Sequence, residues 1–309
     1  EMGDMCWRSD YRDAVRVAAH LGIPIRRWHF EEEYREQVFS YMRDMYEKGE
    51  TPNPDVLCNE RIKLGVWLSR ARKEGFDGIA TGHYAMVNRK KGLLFCAKDA
   101  KKDQTYFLHR LNKEQLSHAY FPLAKMTKKA VRRYARLAGI PTAEKEESMG
   151  LCFVGSVPVQ DFLAKDIVST PGDIIHAETG KKLGEHAGAW YATVGQRHTG
   201  VSGASALYVV KKDMKNNLLF VSGKEHSLLH PTKVRLRNIH LISSIKKDNF
   251  SCAIRFRHGG EKIPAMVSIL GDGAEIHLQK SVWAPAPGQF AVFYKGRECL
   301  GGGEVAPAY

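Results

Sequence analysis

Two cysteines stand in contexts that could do chemistry. Cys58 follows Thr51-Pro-Asn-Pro-Asp-Val-Leu, and a helical pattern runs on from Val56 to about Lys73. Pro52 and Pro54 restrict the approach, Asp55 is placed to cap, and the thiol becomes the third residue of the helix. There it would face unpaired amides and the positive end of the helix dipole. That setting lowers a thiol's pKa and exposes a nucleophilic thiolate. A solitary cysteine is more often a small buried hydrophobe, so for Cys58 the two readings are evenly balanced. Cys152 sits in Ser148-Met-Gly-Leu-Cys-Phe-Val-Gly155. Its flanking glycines permit turns or the close approach of a flat ligand, although a buried strand cysteine explains the segment as well. Thr81-Gly82-His83 lies just past the short apolar run Asp77–Ala80, where an α/β protein holds a nucleotide; a turn histidine without a ligand is the plainer alternative. Lys102-Asp103-Gln104 offers groups for phosphates and base edges, or is simply a polar loop. Cys6, Cys96, Cys252 and Cys299 have apolar or strand surroundings.

Other chemistries are excluded by spacing. No two cysteines are closer than 38 residues, which removes zinc ribbons. There is no H-E-x-x-H helix, no nucleophile elbow and no G-x-x-x-x-G-K-[ST] loop.

The elements that must position these residues change character along the 309-residue chain, which is long enough for two or three domains. The first part reads α/β: a helix over Tyr11–Leu21 stopped by Gly22, a strand start at Ile23–Ile25, a helix over Glu31–Lys48 ended by Gly49, then the Cys58 helix closed by Gly75. Strands alternating with helices suggest a doubly wound parallel sheet. A further helix begins after Thr127 and stops at Gly139. Val131, Tyr134, Ala135 and Ala138 share one face, expected to pack, and Lys128, Lys129, Arg132, Arg133 and Arg136 form a cationic stripe on the other. From about residue 170 short alternating strands follow one another. Asp272-Gly273 and Lys295-Gly296 supply turns, and the last 80 or so residues read as a small closed barrel.

Charge sharpens the partner class. The chain carries 47 Lys and Arg against 34 Asp and Glu, a net +13. Residues 89–145 alone hold 15 basic and 4 acidic side chains, so one stretch contains most of the excess. A basic surface spread over several elements points to nucleic acid. The longest apolar runs fall far short of the ~20 residues of a membrane helix, so a membrane partner is not expected.

Taken in order, the motifs resemble the tRNA-specific 2-thiouridylases. They are Thr51-Pro-Asn-Pro-Asp-Val-Leu-Cys-Asn59 with Ile62-Lys63, Ala80-Thr-Gly-His-Tyr84, Lys102-Asp-Gln-Thr-Tyr-Phe107 and Gly150-Leu-Cys-Phe-Val-Gly155. Pro171-Gly-Asp173, Gly195-Gln-Arg197, Tyr208-Val-Val210, Arg255-Phe-Arg-His258 and Pro287-Gly-Gln-Phe-Ala-Val-Phe-Tyr294 continue the series to the end of the chain. Each is weak alone, and their collinearity carries the resemblance. It implies an adenine-nucleotide α-hydrolase-like domain over 1–168, N-terminally incomplete, a central β-rich domain over 169–228 and a barrel over 229–309. It implies an enzyme that uses ATP, with Mg as its counter-ion, to adenylate the 2-carbonyl of the wobble uridine and replaces that oxygen with persulfide sulfur.

The same resemblance assigns roles. Cys152 would carry the persulfide and Cys58 act as nucleophile or resolving thiol, with a Cys58–Cys152 disulfide closing the cycle. Asn53, Pro54 and Asp55 would contact the target base, Asp55 also assisting proton transfer. Gly82 would contact ATP. His83, Lys102, Asp103, Gln104, Arg255, Phe256 and Gln289 would contact tRNA, joined by Lys128, Arg132 and Arg136 of the basic helix. A persulfide-donor or sulfur-relay protein is the implied second partner. Glu147-Ser-Met-Gly150 and Phe290-Ala-Val-Phe-Tyr-Lys-Gly296 resemble the mitochondrial branch, with a bacterial cytoplasmic protein as the alternative. The family's S-G-G-x-D-S pyrophosphatase loop has no counterpart in these 309 residues, which leaves a non-catalytic tRNA-binding protein as the competing expectation. A thiol redox protein, for which the basic stretch is incidental, is the third.

Overall fold

The computed structural model describes residues 6–146, 161, 163–198, 206–245 and 247–307. The chain forms two compact units, residues 1–38 with 54–163 and residues 39–53 with 164–309. It therefore leaves the first unit at Phe39 and re-enters it at Pro54.

In the first unit, helix Cys6–Leu21 ends at Gly22, whose φ of 63° suits glycine. The strand expected at 23–25 does not form. Ile23 and Ile25 are exposed, and an extended segment becomes a strand only when a neighbour pairs with its backbone. Within this unit, parallel pairing among the described residues is limited to Ile79–Ala80 beside Ala119–Tyr120. The pair is tight: a Cβ on Gly78 would lie 2.1 Å from the His118 carbonyl oxygen. The hairpin Ala85–Asn88 and Leu93–Cys96 follows. Leu57, Leu64, Leu94, Tyr106, Leu108, Leu111 and Leu116 are fully buried around these elements.

The basic helix spans Lys128–Leu137, capped by Thr127 Oγ1 accepting from Ala130 N at 3.2 Å. Its apolar face does not pack as expected. No residue of this helix is buried; Val131 and Ala135 are half-buried, and Tyr134 is 54% exposed. Amphipathic spacing fixes which residues share a face; a covering partner is a tertiary matter. The cationic side is partly engaged. Arg136 pairs with Glu144, and Arg132 donates to the Lys145 carbonyl at 3.4 Å.

Among its described residues the second unit contains two β structures. A five-stranded sheet has the order Lys182–His186, Gly172–His176, Leu218–Ser222, Leu207–Asp213, Arg197–His198, with Ile174, Val209, Leu219 and Val221 as its buried centre. The barrel has six antiparallel strands in the order Lys233–Leu241, Gly273–Leu278, Ile263–Leu270, Asn249–Arg255, Phe290–Lys295, Glu298–Val305. Pairing of the last with the first closes it. Alternate residues, among them Val234, Leu236, Ile254, Val267, Ile276 and Phe293, fill the interior.

Candidate active site

In the first unit the Cys58 segment is a continuous helical run, Pro54–Leu57, Cys58–Val66 and Trp67–Lys73, of which the middle part is wound as a π-helix. The helix begins two residues earlier than its apolar pattern suggests, with Pro54 first, the position where a missing N–H costs nothing. Two expectations change as a result. Asp55 is inside the first turn rather than capping it. Cys58 is the fifth residue, beyond the unpaired amides, and is buried at 1% exposure. The exposed thiol at the dipole end is not what the fold builds. Cys58 is present as a thiol, while Cys152, its expected disulfide partner, lies outside the described residues.

Asp55 and His83 are both partly buried beside Lys63. Burial raises the Asp55 carboxyl above its ordinary pKa, and the Lys63 ammonium opposes that rise. Burial pushes His83 down to about 4, and Lys63 adds to the fall. The imidazole is therefore neutral at pH 7. Its Nδ1 is 2.7 Å from Thr81 Oγ1, and its ring meets Phe121 edge-on at 5.9 Å. Lys63, the charge shared by both, is a group that sequence reasoning passed over, although Ile62-Lys63 stood among the motifs. In a regular α-helix a residue eight places on is turned about 80° away. Over the five steps from Cys58, i→i+5 winding at ~4.4 residues per turn takes back about that much, so the π segment sets Lys63 on the Asp55 side.

The His83 loop is held from behind. Tyr84 N donates to Gln104 Oε1 at 2.9 Å and Gln104 N donates to Tyr84 O at 2.9 Å. Asp103, 3% exposed, accepts from Ala97 N at 3.1 Å and from the Thr105 hydroxyl at 2.9 Å. Gln104 thus braces the loop, while Asp103 ties its own segment to Ala97. Lys102 is half-buried, and Lys128 N donates to Asp99 Oδ2 at 2.9 Å. Gly82 is exposed, and a Cβ there would meet nothing within 4 Å. Open space at a strand's carboxyl end fits the approach of a nucleotide to the backbone.

In the second unit, Asn53 Nδ2 donates to Gln289 Oε1 at 3.5 Å. Arg255 is half-buried with its guanidinium 5.4 Å from the centre of the Tyr294 ring. Phe256, 7% exposed, belongs to the barrel core. Among the described residues no group of three or more His, Cys, Asp or Glu could hold a metal, and no helix is long and apolar enough to cross a membrane.

An α/β unit whose strand-end loop and acid-bearing helix face one lysine, on a chain that continues into a β sheet and a closed barrel, defines a modular class that joins an α/β domain to β domains. Family models agree part by part: a tRNA methyl transferase HUP domain over residues 1–156, a tRNA methyl transferase PRC-barrel domain over 160–223 and an aminomethyltransferase β-barrel domain over 231–305. The tRNA-specific 2-thiouridylase MnmA of Bacillus subtilis (strain 168) is 41% identical over 308 residues, covering 97% of this chain and 83% of that protein. That of Methylobacillus flagellatus is 41% identical over 312 residues, 97% and 86%, and that of Listeria innocua 42% over 313 residues, 99% and 84%. The chain belongs to the tRNA-specific 2-thiouridylase family. These relatives are bacterial, and they lend no support to the expected mitochondrial branch.

Proposed function

We propose that this protein is a tRNA sulfurtransferase that installs sulfur at C2 of the wobble uridine. The 2-carbonyl of uracil is urea-like, a poor electrophile with a poor leaving group. ATP, when bound, supplies the adenylyl group that lets the 2-oxygen depart. The chain's own residues do the rest. Gly82, with no side chain, gives the nucleotide room at the strand end. Asn53 and Pro54 receive the uracil, flipped from its stack because C2 is otherwise out of reach. Asp55, its carboxyl raised by burial, holds or returns the base's N3 proton as sulfur enters. His83, neutral at pH 7, contacts RNA by hydrogen bonding rather than by charge.

Sulfur arrives as a persulfide on Cys152, charged by a donor or relay protein. Its outer sulfur bonds C2 as the C2–O bond breaks. The Cys58 thiolate then attacks the Cys152 sulfur, the S–S bond breaks, and the electron pair stays on the sulfur bonded to C2. A Cys58–Cys152 disulfide remains, and a thiol reductant restores both cysteines. Because Cys58 is buried, the helix start must open when tRNA binds.

One observation carries this reading: an acid on the Pro54 helix and a neutral imidazole on the strand-end loop share the field of Lys63. The test replaces Cys58 and Cys152 singly by Ser in the full natural chain. 2-Thiouridine formation with ATP and a persulfide donor should vanish, while the tRNA Kd stays within about threefold, under 1 kcal/mol. Thiolation at the wild-type rate by either variant removes that cysteine from the mechanism. A wild-type chain that binds tRNA and never thiolates it is a non-catalytic binder.

A further inference from the structure

The four residues before the Pro54 helix belong to the second unit, which holds them with unusual thoroughness. Gln289 Nε2 donates to Thr51 O at 3.0 Å and to Pro52 O at 3.3 Å, and its Oε1 accepts from Asn53 Nδ2 at 3.5 Å. Thr51 N donates to Pro287 O at 2.8 Å, and its hydroxyl donates to Thr193 Oγ1 at 3.2 Å. Gly288, at φ +87°, lies so close that a Cβ would stand 3.0 Å from Thr51 N.

One residue upstream, Glu50 is 5% exposed and takes both prongs of Arg237, at 3.0 and 2.5 Å. Arg237 Nε donates to Glu304 Oε2 at 3.1 Å, and Glu304 also accepts from Tyr41 Oη at 3.1 Å and Asn238 Nδ2 at 3.3 Å. Lys212, which burial pushes down to about 8, adds its field to Glu50. Ion pairs this buried add little to stability compared with apolar side chains of the same size, and their best-attested use is to fix one arrangement.

We propose that Gln289 and Arg237 are positioning residues, which set the backbone of Glu50–Asn53 so that Asn53 meets the target uracil in one orientation. The inference rests on Asn53-Pro54-Asp55 being the base contact. It revises the role of Gln289, which matches a tRNA-contacting position of the family. A side-chain amide has two N–H donors, and both are engaged on the loop's carbonyls. Gln289 acts on the base through Asn53.

The experiment uses the full natural chain and three variants. Gln289→Met keeps the volume and removes the hydrogen bonds. Arg237→Met removes the anchor, and Arg237→Lys keeps the charge while losing the two-pronged geometry. For Gln289→Met, single-turnover thiolation at saturating tRNA should fall at least about tenfold while the tRNA Kd is unchanged, as misplacement of a reacting group predicts. Amide exchange in the peptide covering residues 49–53 should quicken by about tenfold or more with the barrel strands unaffected. Arg237→Lys should recover the melting temperature that Arg237→Met loses without recovering the rate.

A weaker Kd with an unchanged saturated rate makes Gln289 a direct tRNA contact and overturns the proposal. Unchanged exchange, or a loosened loop with a normal rate, overturns it too. Recovery of both stability and rate by Arg237→Lys reduces Arg237 to a structural part. Failure of the wild-type chain to thiolate identifies the functional reading as the fault, and the positioning role falls with it.

Discussion

Acidification should cost the first unit stability through His83 alone. In the unfolded chain an imidazole protonates near 6.5, whereas in the fold burial and Lys63 hold His83 down to about 4. Between those values the unfolded state binds a proton that the folded state refuses. The contribution of the neutral ring is intact above pH 6.5 and disappears as the pH falls toward 4. Each pH unit in that window is worth about 1.4 kcal/mol, so the whole loss is about 3 kcal/mol. His83→Asn cannot take up the proton and should escape this loss. Urea unfolding of both proteins at pH 7.5, 6.5, 5.5 and 4.5, followed by amide exchange in residues 54–146, gives the comparison. By pH 4.5 the variant should have lost about 2.5 kcal/mol less than the parent. Asp55 and the remaining carboxylates titrate in both proteins and cancel in the difference to first order. Parallel stability curves, or an NMR titration of the His83 ring centred near 6.5, would refute the claim that burial keeps it neutral.

Two further predictions follow from charge and packing. Replacing Lys128, Arg132 and Arg136 by Ala should reduce the slope of log affinity for tRNA against log salt by about 2, with Arg136 contributing least because Glu144 already holds it; an unchanged slope between 50 and 200 mM salt, about the range over which such contacts show, moves the RNA surface elsewhere. Gly78→Ala drives a Cβ to 2.1 Å from the His118 carbonyl, a backbone atom with little freedom to retreat. The first unit should lose about 3 kcal/mol or more, read as a fall of several degrees in its melting temperature; a melting temperature unmoved within experimental error would show that the pair has slack.

The parts of this fold legible from sequence are those set by local rules. The barrel strands alternate apolar and polar residues over Val234–Leu241 and Glu275–Leu278, and Asp272-Gly273 and Lys295-Gly296 mark the reversals, so period and turn chemistry agree. Thr127 and Gly139 delimit their helix in the same way. What stayed hidden depends on the rest of the molecule. The π winding after Leu57 decides which residue lies over Asp55, and no spacing in the sequence announces it. Burial of Cys58 follows from a helix start two residues early. The exposed Tyr134 and the unpaired stretch 23–25 show that an apolar pattern names a face without naming its cover. Arg237 and Glu50 are 187 positions apart, and each alone reads as an ordinary charged residue.

The clamp on Glu50–Asn53 also orders events during synthesis. The ribosome delivers the loop early, but Arg237 and Gln289, which shape it, emerge 187 and 238 residues after their partners Glu50 and Thr51. Contacts of such sequence separation form late, after the costliest loop closures. A nascent or prematurely terminated chain therefore carries the Cys58 helix sequence with no fixed lead-in to it. The loop's geometry becomes a record of whether translation reached the barrel.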